Sequence, residues 1–246
     1  MRNTNFLKII AIFVMILSIK EDSHAQLFPR FSIAGGPTVG WHTNNTDDLN
    51  NALRIIGIPE LENGFLTLGG GGFVDLPFKG FDKIRVGGFG NGFSASESAT
   101  VNGLKKTANY SYGEGGLQID YRISPAKSLD FTFGVQLATG TLEIELYQSA
   151  PDFGNWTNIV NELSGQNSSQ SISRNFETRF YSVQPQAGIG VFLTSLIYAR
   201  LNVGYEFGFN GDWVVDDEIT ATGVPSGIKA DGVNINFGLN FGLFSK

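Results

Sequence analysis

The sequence predicts an all-β fold in which eight antiparallel strands, joined in up-and-down order, close into a single barrel. Apolar and polar residues alternate with a period of two from Phe28 onward, as in strands with one apolar and one polar face. The connections between the alternating segments are short and long in turn. Charged residues make up only 16% of the 246 residues, whereas soluble domains carry roughly 25%.

Eight segments carry this alternation, and the last one shows it most clearly. There Val233, Ile235 and Phe237 share one face, while asparagine and glycine residues fill the other. Such alternation, sustained over many residues, indicates a two-faced sheet. The predicted strands span 31–41, 65–76, 83–94, 108–123, 127–148, 176–194, 196–214 and 228–244.

The predicted connections between these strands are of two kinds. Short ones lie at 77–82, 124–126 and 194–195, and long ones lie at 42–64, 95–107, 149–175 and 215–227. Because the two kinds alternate strictly, every long connection falls at the same end of the barrel. Membrane barrels with an even number of strands have this arrangement, with short turns at one end and long loops at the other.

A short helix is predicted at 46–58, within the first long connection. Acidic residues open this segment, Gly57 can stop the helix, and Pro59 follows. Its apolar residues share one face because they are spaced by four and three positions. Two interpretations are open: a plug or lid at the barrel mouth, or a helix packed on neighbouring loops. The apolar face consists of Leu49, Leu53 and Ile56.

The composition of the polar face indicates which face of the sheet meets water. No lysine occurs between Lys127 and Lys229, although the solvated face of a soluble sheet normally carries lysine and glutamate. Glycine, asparagine and glutamine predominate there instead, which suits a narrow lumen. The apolar face is then the one that contacts lipid, and the barrel is transmembrane. The alternative is a soluble exported lipocalin-like barrel whose apolar face encloses a hydrophobic ligand.

Isolated charges of both signs also lie on the polar face. Inside a closed eight-stranded barrel they must neutralise one another, because side chains fill the space and leave little water. We therefore predict a salt-bridge and hydrogen-bond network with a structural role, in a lumen without a continuous pore. The residues of this lumen charge network are Arg85, Glu114, Asp120, Arg122, Arg200 and Glu206.

Composition and motifs exclude several kinds of function. The lack of cysteine rules out disulfides, thiol nucleophiles and cysteine-based metal sites. A net charge of −6 argues against nucleic acid as a partner. The glycine runs at 69–72 and 87–92 match no nucleotide-binding pattern and are interpreted as features of strongly curved strands. We expect no cofactor, no metal ion and no catalytic residue.

Residues 1–25 have the pattern of a cleaved signal peptide. A basic start precedes an apolar stretch at 9–19, and Ser23-His24-Ala25 is an acceptable cleavage site. The apolar stretch falls short of the roughly 20 residues that a membrane-spanning helix needs. The chain is thus predicted to consist of a signal peptide at 1–25 and a barrel domain at 26–246.

The chain resembles the small porin-like outer-membrane barrels of Gram-negative bacteria, of the OmpA-transmembrane, OmpX and OmpW type. The resemblance rests on the export signal, the eight strands, the alternating connection lengths and a last strand that ends in Leu243-Phe244. The resemblance covers residues 27–246. It implies location in the outer membrane, contact with lipid and lipopolysaccharide, recognition of the last strand by the barrel-assembly machinery, and a monomeric state. In such proteins the last strand usually ends in Phe or Trp, and here Phe244 is followed by Ser245 and Lys246.

The resemblance also bears on function. His42 is the single histidine of the predicted barrel domain and is expected at its rim, where some small outer-membrane barrels act as lipid A acyltransferases or deacylases. A lipid-modifying enzyme that uses His42 is therefore a second alternative, although no His-x-Ser pattern is present. The connection 149–175, with Trp156, is the predicted contact surface for a partner or another cell. Predicted membrane-interface aromatics are Phe31, Phe81, Tyr121 and Phe244 at one end and Trp41, Phe209 and Trp213 at the other.

Overall fold

The computed structural model describes residues 32–78, 80–150, 154–165 and 171–244. The predicted signal peptide at 1–25 and the predicted interface residue Phe31 lie outside the described residues. Within these ranges, no helix has the length and hydrophobicity needed to cross a membrane.

The described residues form nine strands in one antiparallel sheet. Each long strand pairs with its neighbours in the chain, and the last strand pairs with both the first and the seventh, which closes the ring. The predicted up-and-down barrel of eight long strands is confirmed. The remaining strand has two residues and pairs with the loop end of the seventh long strand. The strands are β1 (Ser32–Thr43), β2 (Gly64–Asp75), β3 (Ile84–Val101), β4 (Leu104–Ala126), β5 (Leu129–Ser149), β6 (Ile172–Phe192), β7 (Ile197–Val215), β8 (Ile219–Thr220) and β9 (Gly232–Phe244).

The two ends of the barrel differ in their connections. The turn end holds the short links β2–β3, β4–β5 and β6–β7, together with the first residue of β1 and the last of β9. The loop end holds two helices, α1 (Asp47–Ile56) and α2 (Trp156–Leu163), and the segment between β7 and β9. By the usual arrangement of such barrels, the turn end is periplasmic and the loop end extracellular.

The apolar face of the sheet points outward and the polar face points into the lumen. Leu117 of β4 is 67% exposed, whereas its neighbours along the same strand on the other face, Gln118 and Asp120, are buried. Such an inverted distribution suits a barrel surrounded by lipid, where the closed sheet satisfies every ladder hydrogen bond and leaves no edge. The lipocalin-like alternative, with its apolar face inside, is therefore wrong.

The connection predicted as a loop at 95–107 is instead the tip of a long hairpin. β3 and β4 continue their pairing to Val101 and Leu104, so only Asn102 and Gly103 form the turn. Both turn residues have positive φ, 52° and 78°, and Asn-Gly is the preferred pair for such a two-residue turn. Because strands need only about 9–11 residues to cross the bilayer, the 23 residues of β4 project well beyond it.

The predicted helix is confirmed as α1, and its apolar face closes the mouth of the barrel. Leu49 and Leu53 are buried against inward-facing side chains of the strands and against Ile228. Gly57 ends the helix in the left-handed conformation, with φ of 79°. The Nζ of Lys106 on β4 donates to the carbonyl oxygen of Ile56 at 3.0 Å, which ties the end of the helix to the barrel wall. The structure thus favours the plug over a helix packed only on loops.

Candidate functional site

The turn-end half of the lumen is organised around Arg85. Its Nε donates to Asp75 Oδ1 at 2.9 Å, and its Nη1 donates to the hydroxyl oxygen of Tyr198 at 3.1 Å. Its guanidinium carbon lies 3.8 Å from the ring centroid of Phe73. The other carboxylate oxygen of Asp75 accepts from Arg122 Nη1 at 2.8 Å. Asp75 therefore bridges two of the predicted arginines.

A second ion pair joins β4 and β7. Arg200 Nη2 of β7 donates to Asp120 Oδ2 of β4 at 2.8 Å, and also to the hydroxyl of Thr132 at 3.1 Å. Asp120 Oδ1 accepts from the amide of Gln186 at 3.0 Å. These side-chain contacts join β4, β5, β6 and β7, so the polar interior links strands that lie around the barrel.

Two carboxylates of this cluster, Asp75 and Asp130, were not among the predicted residues. Asp75 pairs with two arginines, and Asp130 lies 3.7 Å from Arg85 Nη2 and 3.9 Å from Arg122 Nη1. Both aspartates occupy inward positions near the turn end of their strands. Strand parity could have found them, because each lies an even number of residues from a buried neighbour on its own strand. With them, this part of the lumen holds three arginines and three aspartates.

Glu114 and Glu206, the two glutamates of the predicted network, lie nearer the loop end and away from the arginines. Glu206 Oε2 accepts from the hydroxyl of Tyr112 at 2.8 Å, and Glu114 Oε1 accepts from the amide of Asn91 at 3.0 Å. The structure therefore places the six predicted residues in two separate groups rather than in one network. The structural role of the whole set stays a prediction.

His42 was expected at the rim of the barrel, but it lies in the lumen. β1 continues through Thr43, so His42 falls on the inward face, where it is 0% exposed. Its ring stacks on Tyr112 at a centroid distance of 5.0 Å, and its Nδ1 lies 3.7 Å from Glu206 Oε2. In this position the barrel wall separates His42 from the surrounding lipid.

Aromatic layers fill the lumen at both ends of the polar interior. At the turn end, Phe73, Phe192, Tyr198 and Phe244 are in mutual ring contact. At the loop end, a stack beneath α1 is formed by Phe65, Phe93, Tyr110, Tyr112 and Phe180. Between the layers lies a cavity of about 50 Å³, lined mainly by glycine, asparagine and glutamine residues and by Arg200. That space can hold a few water molecules.

The predicted membrane-interface aromatics divide between the two faces. Tyr121, Trp41 and Phe209 are exposed on the outer surface, and Phe81 is exposed in the β2–β3 turn. Phe244 and Trp213 point inward and pack in the two apolar clusters, so their prediction was wrong. For Trp213 the cause is a register shift between Thr178 and Phe180, opposite β7. A bulge of one residue moves every following side chain to the other face.

The long connection between β5 and β6 presents an apolar helix at the loop end. Asn155 caps α2 through its side-chain oxygen, which accepts from two backbone N–H groups. Trp156 and Leu163 of this helix are 78% and 85% exposed. A cavity of about 500 Å³ separates the helix from the ends of the strands and is lined in part by Tyr147 and Ile172. The helix and the cavity form an apolar part of the described loop-end surface.

These features define the class of protein. A closed eight-stranded sheet, apolar toward its surroundings and filled by paired charges and aromatic side chains, is a transmembrane β-barrel of the bacterial outer-membrane type. Among the described residues, no group of three histidine, aspartate or glutamate side chains is arranged to hold a metal ion.

Comparison with known proteins finds likeness in fold. No protein-family model matches the sequence, and neither does any curated protein. Solved structures of similar fold include a major outer membrane protein from Thermus thermophilus, with a TM-score of 0.49 and 7% identity over 87% of this chain and 99% of that one. The outer membrane protein OprG of Pseudomonas aeruginosa has a TM-score of 0.43 and 11% identity over 87% and 95%.

The outer membrane protease OmpT of Escherichia coli is also among these structures, with a TM-score of 0.31 and 9% identity over 87% of this chain and 94% of that one. These three proteins are named as outer-membrane proteins. At such identities the likeness concerns the barrel fold alone, so the activity of this chain must be argued from its own residues.

Proposed function

We propose that this chain is a non-enzymatic outer-membrane protein that acts through its loop-end surface. The observation that carries the proposal is the combination of a filled lumen with an exposed apolar helix. Aromatic layers and α1 close both ends of the barrel, which argues against a transport pore. The exposed Trp156 and Leu163 of α2 argue for contact with another molecule, since large apolar groups at a water-facing surface commonly mark interaction sites.

The proposal includes a set of partners for the barrel itself. Lipid and lipopolysaccharide of the outer membrane surround the apolar face, and the barrel-assembly machinery engages the last strand during biogenesis. The acidic net charge of −6 disfavours nucleic acid. The barrel is expected to be a monomer, because its sheet closes on itself and offers no strand edge to a second copy.

The proposal of a barrel inserted in the outer membrane has a direct test. The outer-membrane fraction is isolated, and the protein is compared on gels with and without boiling. A closed barrel resists detergent at room temperature and should change its mobility after boiling. Recovery of the protein in the soluble periplasm, with equal mobility in both samples, would overturn the proposal.

Cell-to-cell contact through α2 can be tested by autoaggregation. Cells that display the protein should settle faster than cells without it, and the double variant Trp156→Ser with Leu163→Ser should lose that effect. The matched control is Ile55→Ser with Ile219→Ser, which removes two other exposed apolar side chains at the loop end. Equal settling of cells with and without the protein would contradict a role in cell contact.

The alternative of a lipid-modifying enzyme predicts a change in lipid A. Mass spectra of lipid A from cells that express the protein should match those from cells that lack it, because His42 is buried in the lumen. A new lipid A species that disappears in the variant His42→Ala would establish the enzyme and overturn the non-enzymatic proposal.

A further inference from the structure

A large cavity opens at the loop end, on the side of the barrel where β1, β7 and β9 are neighbours. Its volume is about 740 Å³, and small-molecule sites commonly have volumes of about 300–1,000 Å³. The walls of this rim pocket come from residues 43–48, from Asn63 before β2, from Tyr205 of β7 and from the segment 226–233. The rim pocket shares no lining residue with the cavity beside α2, so the two cavities are separate.

Hydrogen bonds between distant parts of the chain hold the walls of the rim pocket in place. Asp48 Oδ2 of α1 accepts from the backbone N–H of Gly227 at 3.1 Å. Asp231 Oδ1 accepts from the backbone N–H of Gly208 on β7 at 2.6 Å. Because these bonds join α1, β7 and the segment before β9, the pocket is formed in advance, and a ligand has little ordering to impose on it.

Several polar groups of the rim pocket have no partner within the described part of the chain. The carboxylate of Asp47 and the ammonium group of Lys229 form no hydrogen bond or ion pair there. Asn44 is only 3% exposed, and its Oδ1 is buried without a hydrogen-bond partner, although its Nδ2 donates to the hydroxyl oxygen of Tyr110. A buried acceptor without a donor is unfavourable, so a ligand that supplies the donor gains affinity.

The charges of the lining residues restrict the kind of ligand. Three aspartates and one lysine give them a net charge of −2, which disfavours phosphate and sulfate groups. Lys229 disfavours a ligand that is only a cation, because its ammonium group would repel it. The aspartates are not arranged to hold a metal ion, since no such group of side chains occurs in the described residues.

The remaining lining groups suit an uncharged molecule that is polar at its edges and apolar on its faces. Tyr205 and Val233 are 44% and 38% exposed and supply an apolar surface, and asparagine, serine and threonine supply donors and acceptors together. A sugar ring has both properties, because its hydroxyl groups donate and accept hydrogen bonds while its C–H groups are apolar.

We infer that the rim pocket binds an uncharged oligosaccharide. Its hydroxyl groups bond to Asn45, Asp47 and Lys229, and one of its rings lies on Tyr205. The pocket lies where the apolar outer face meets the loop end, so the sugar of a lipopolysaccharide molecule beside the barrel and a free oligosaccharide both reach it. This site is independent of the contact surface proposed for α2.

Saturation-transfer NMR of the purified barrel in detergent micelles measures the binding. One probe is maltotriose, and the other is the core oligosaccharide released by mild acid from the lipopolysaccharide of the expressing cells, with its phosphate groups removed. We expect transfer to at least one of them. Transfer to the core oligosaccharide alone would assign the ligand to the membrane of the cell itself, and transfer to maltotriose would assign it to free sugars. The core oligosaccharide with its phosphates retained should bind more weakly.

The double variant Asp47→Ala with Lys229→Ala locates the binding site. It removes one acid and one base, so the net charge of the pocket stays the same, and neither side chain has a partner that the barrel needs for folding. Affinity for the sugar should fall by about tenfold or more. The control Lys105→Ala with Glu218→Ala removes an exposed base and an exposed acid outside the pocket and should keep the affinity.

A second variant tests the aromatic surface of the pocket. Tyr205→Leu keeps an apolar side chain on the outer face but removes the flat ring, so the affinity should fall several-fold. The matched control is Tyr181→Leu, which changes a 71% exposed tyrosine of β6 outside the pocket and should leave the affinity unchanged. A change in gel mobility on boiling shows for each variant that the barrel is folded.

Three results would overturn the inference. Absence of saturation transfer to both uncharged probes would mean that the pocket binds no sugar. Equal affinities of the Asp47 and Lys229 double variant and its control would place the sugar elsewhere on the barrel. A preference for the phosphorylated core oligosaccharide, or binding of spermidine without either sugar, would assign the pocket to a charged ligand.

Discussion

Toward the turn end of the lumen each arginine faces an aspartate, whereas toward the loop end two glutamates face tyrosine, histidine and amide groups. The first half neutralises its charges by ion pairs that cross between strands, as in the contact of Arg200 with Asp120. The second half surrounds its acids with aromatic rings and covers them with α1. The difference indicates that the turn-end half braces the ring, while the loop-end half resembles the core of a soluble domain.

The largest expected effect comes from removing the central arginine of the turn-end half. Arg85→Leu would leave Asp75 and Asp130 short of positive charge in a buried site, and we expect a loss of about 3–5 kcal/mol in unfolding free energy. Urea unfolding in vesicles, followed by tryptophan fluorescence, measures it. The control Arg54→Leu breaks an exposed ion pair with Glu60 and should cost at most about 1 kcal/mol. Similar losses in both variants would contradict the view that the turn-end half depends on its buried ion pairs.

The next largest effect should come from the cap of the loop-end half. Leu53→Ala creates a cavity between α1 and the aromatic stack, with an expected cost of about 2–4 kcal/mol. Because the cap is held by packing, hydrogen exchange of the α1 amides should accelerate more than exchange in the strands. Ile55 lies on the same helix with its side chain 86% exposed, so Ile55→Ala should change neither the stability nor the exchange of the α1 amides. Equal exchange in the two variants would show that α1 is not held by its apolar face.

A smaller effect is expected for the outer arginine of the turn-end cluster. Arg122 is partly exposed, with 18% of its side chain accessible, and Arg85 remains to neutralise Asp75 when it is removed. Arg122→Leu should therefore lower the unfolding free energy by about 2 kcal/mol, as buried ion pairs cost more to break than exposed ones. The thermal melting of the purified barrel should fall accordingly. An unchanged melting point would count against the charge network.

The smallest expected effects on stability come from removing one hydroxyl group in each half of the lumen. Tyr112→Phe removes the hydroxyl that donates to Glu206, and Thr132→Val removes one acceptor of Arg200, which keeps Asp120. We expect a loss of about 1–2 kcal/mol for the first and about 1 kcal/mol or less for the second. Thermal melting of the two variants under identical conditions measures the difference. The reverse order would mean that the loop-end acids depend less on their neighbours than the ion pairs do.

Strand parity explains both the successes and the failures of prediction in the lumen. It placed all six candidate charges on the inward face, and each of them lies there. Applied consistently, it would also have placed His42 and Phe244 inside, because both share the parity of inward residues on their own strands. Parity failed for Trp213, because a register shift between Asn210 and Trp213 reverses the inward and outward faces of β7 from there on. Local pattern cannot reveal such a shift, which depends on the neighbouring strand.

The sequence by itself determined the number of long strands and most of their extent, the helix α1 and the face that contacts lipid. These properties follow from local alternation, turn residues and composition, which act over a few neighbouring positions. The extended β3–β4 hairpin escaped prediction although Asn102 and Gly103 signal its turn, since polar residues predominate at 94–100.

Only the tertiary structure decided which charges meet inside the barrel. Arg85 contacts Tyr198 and Arg200 contacts Asp120 across separations of 113 and 80 residues. Such contacts depend on the stagger and tilt of strands around the closed ring, which set the height of each side chain in the lumen. The separation of Glu114 and Glu206 from the arginines has the same origin. The inward orientation of the two glutamates follows from strand alternation, whereas their partners Asn91 and Tyr112 follow from the geometry of the barrel.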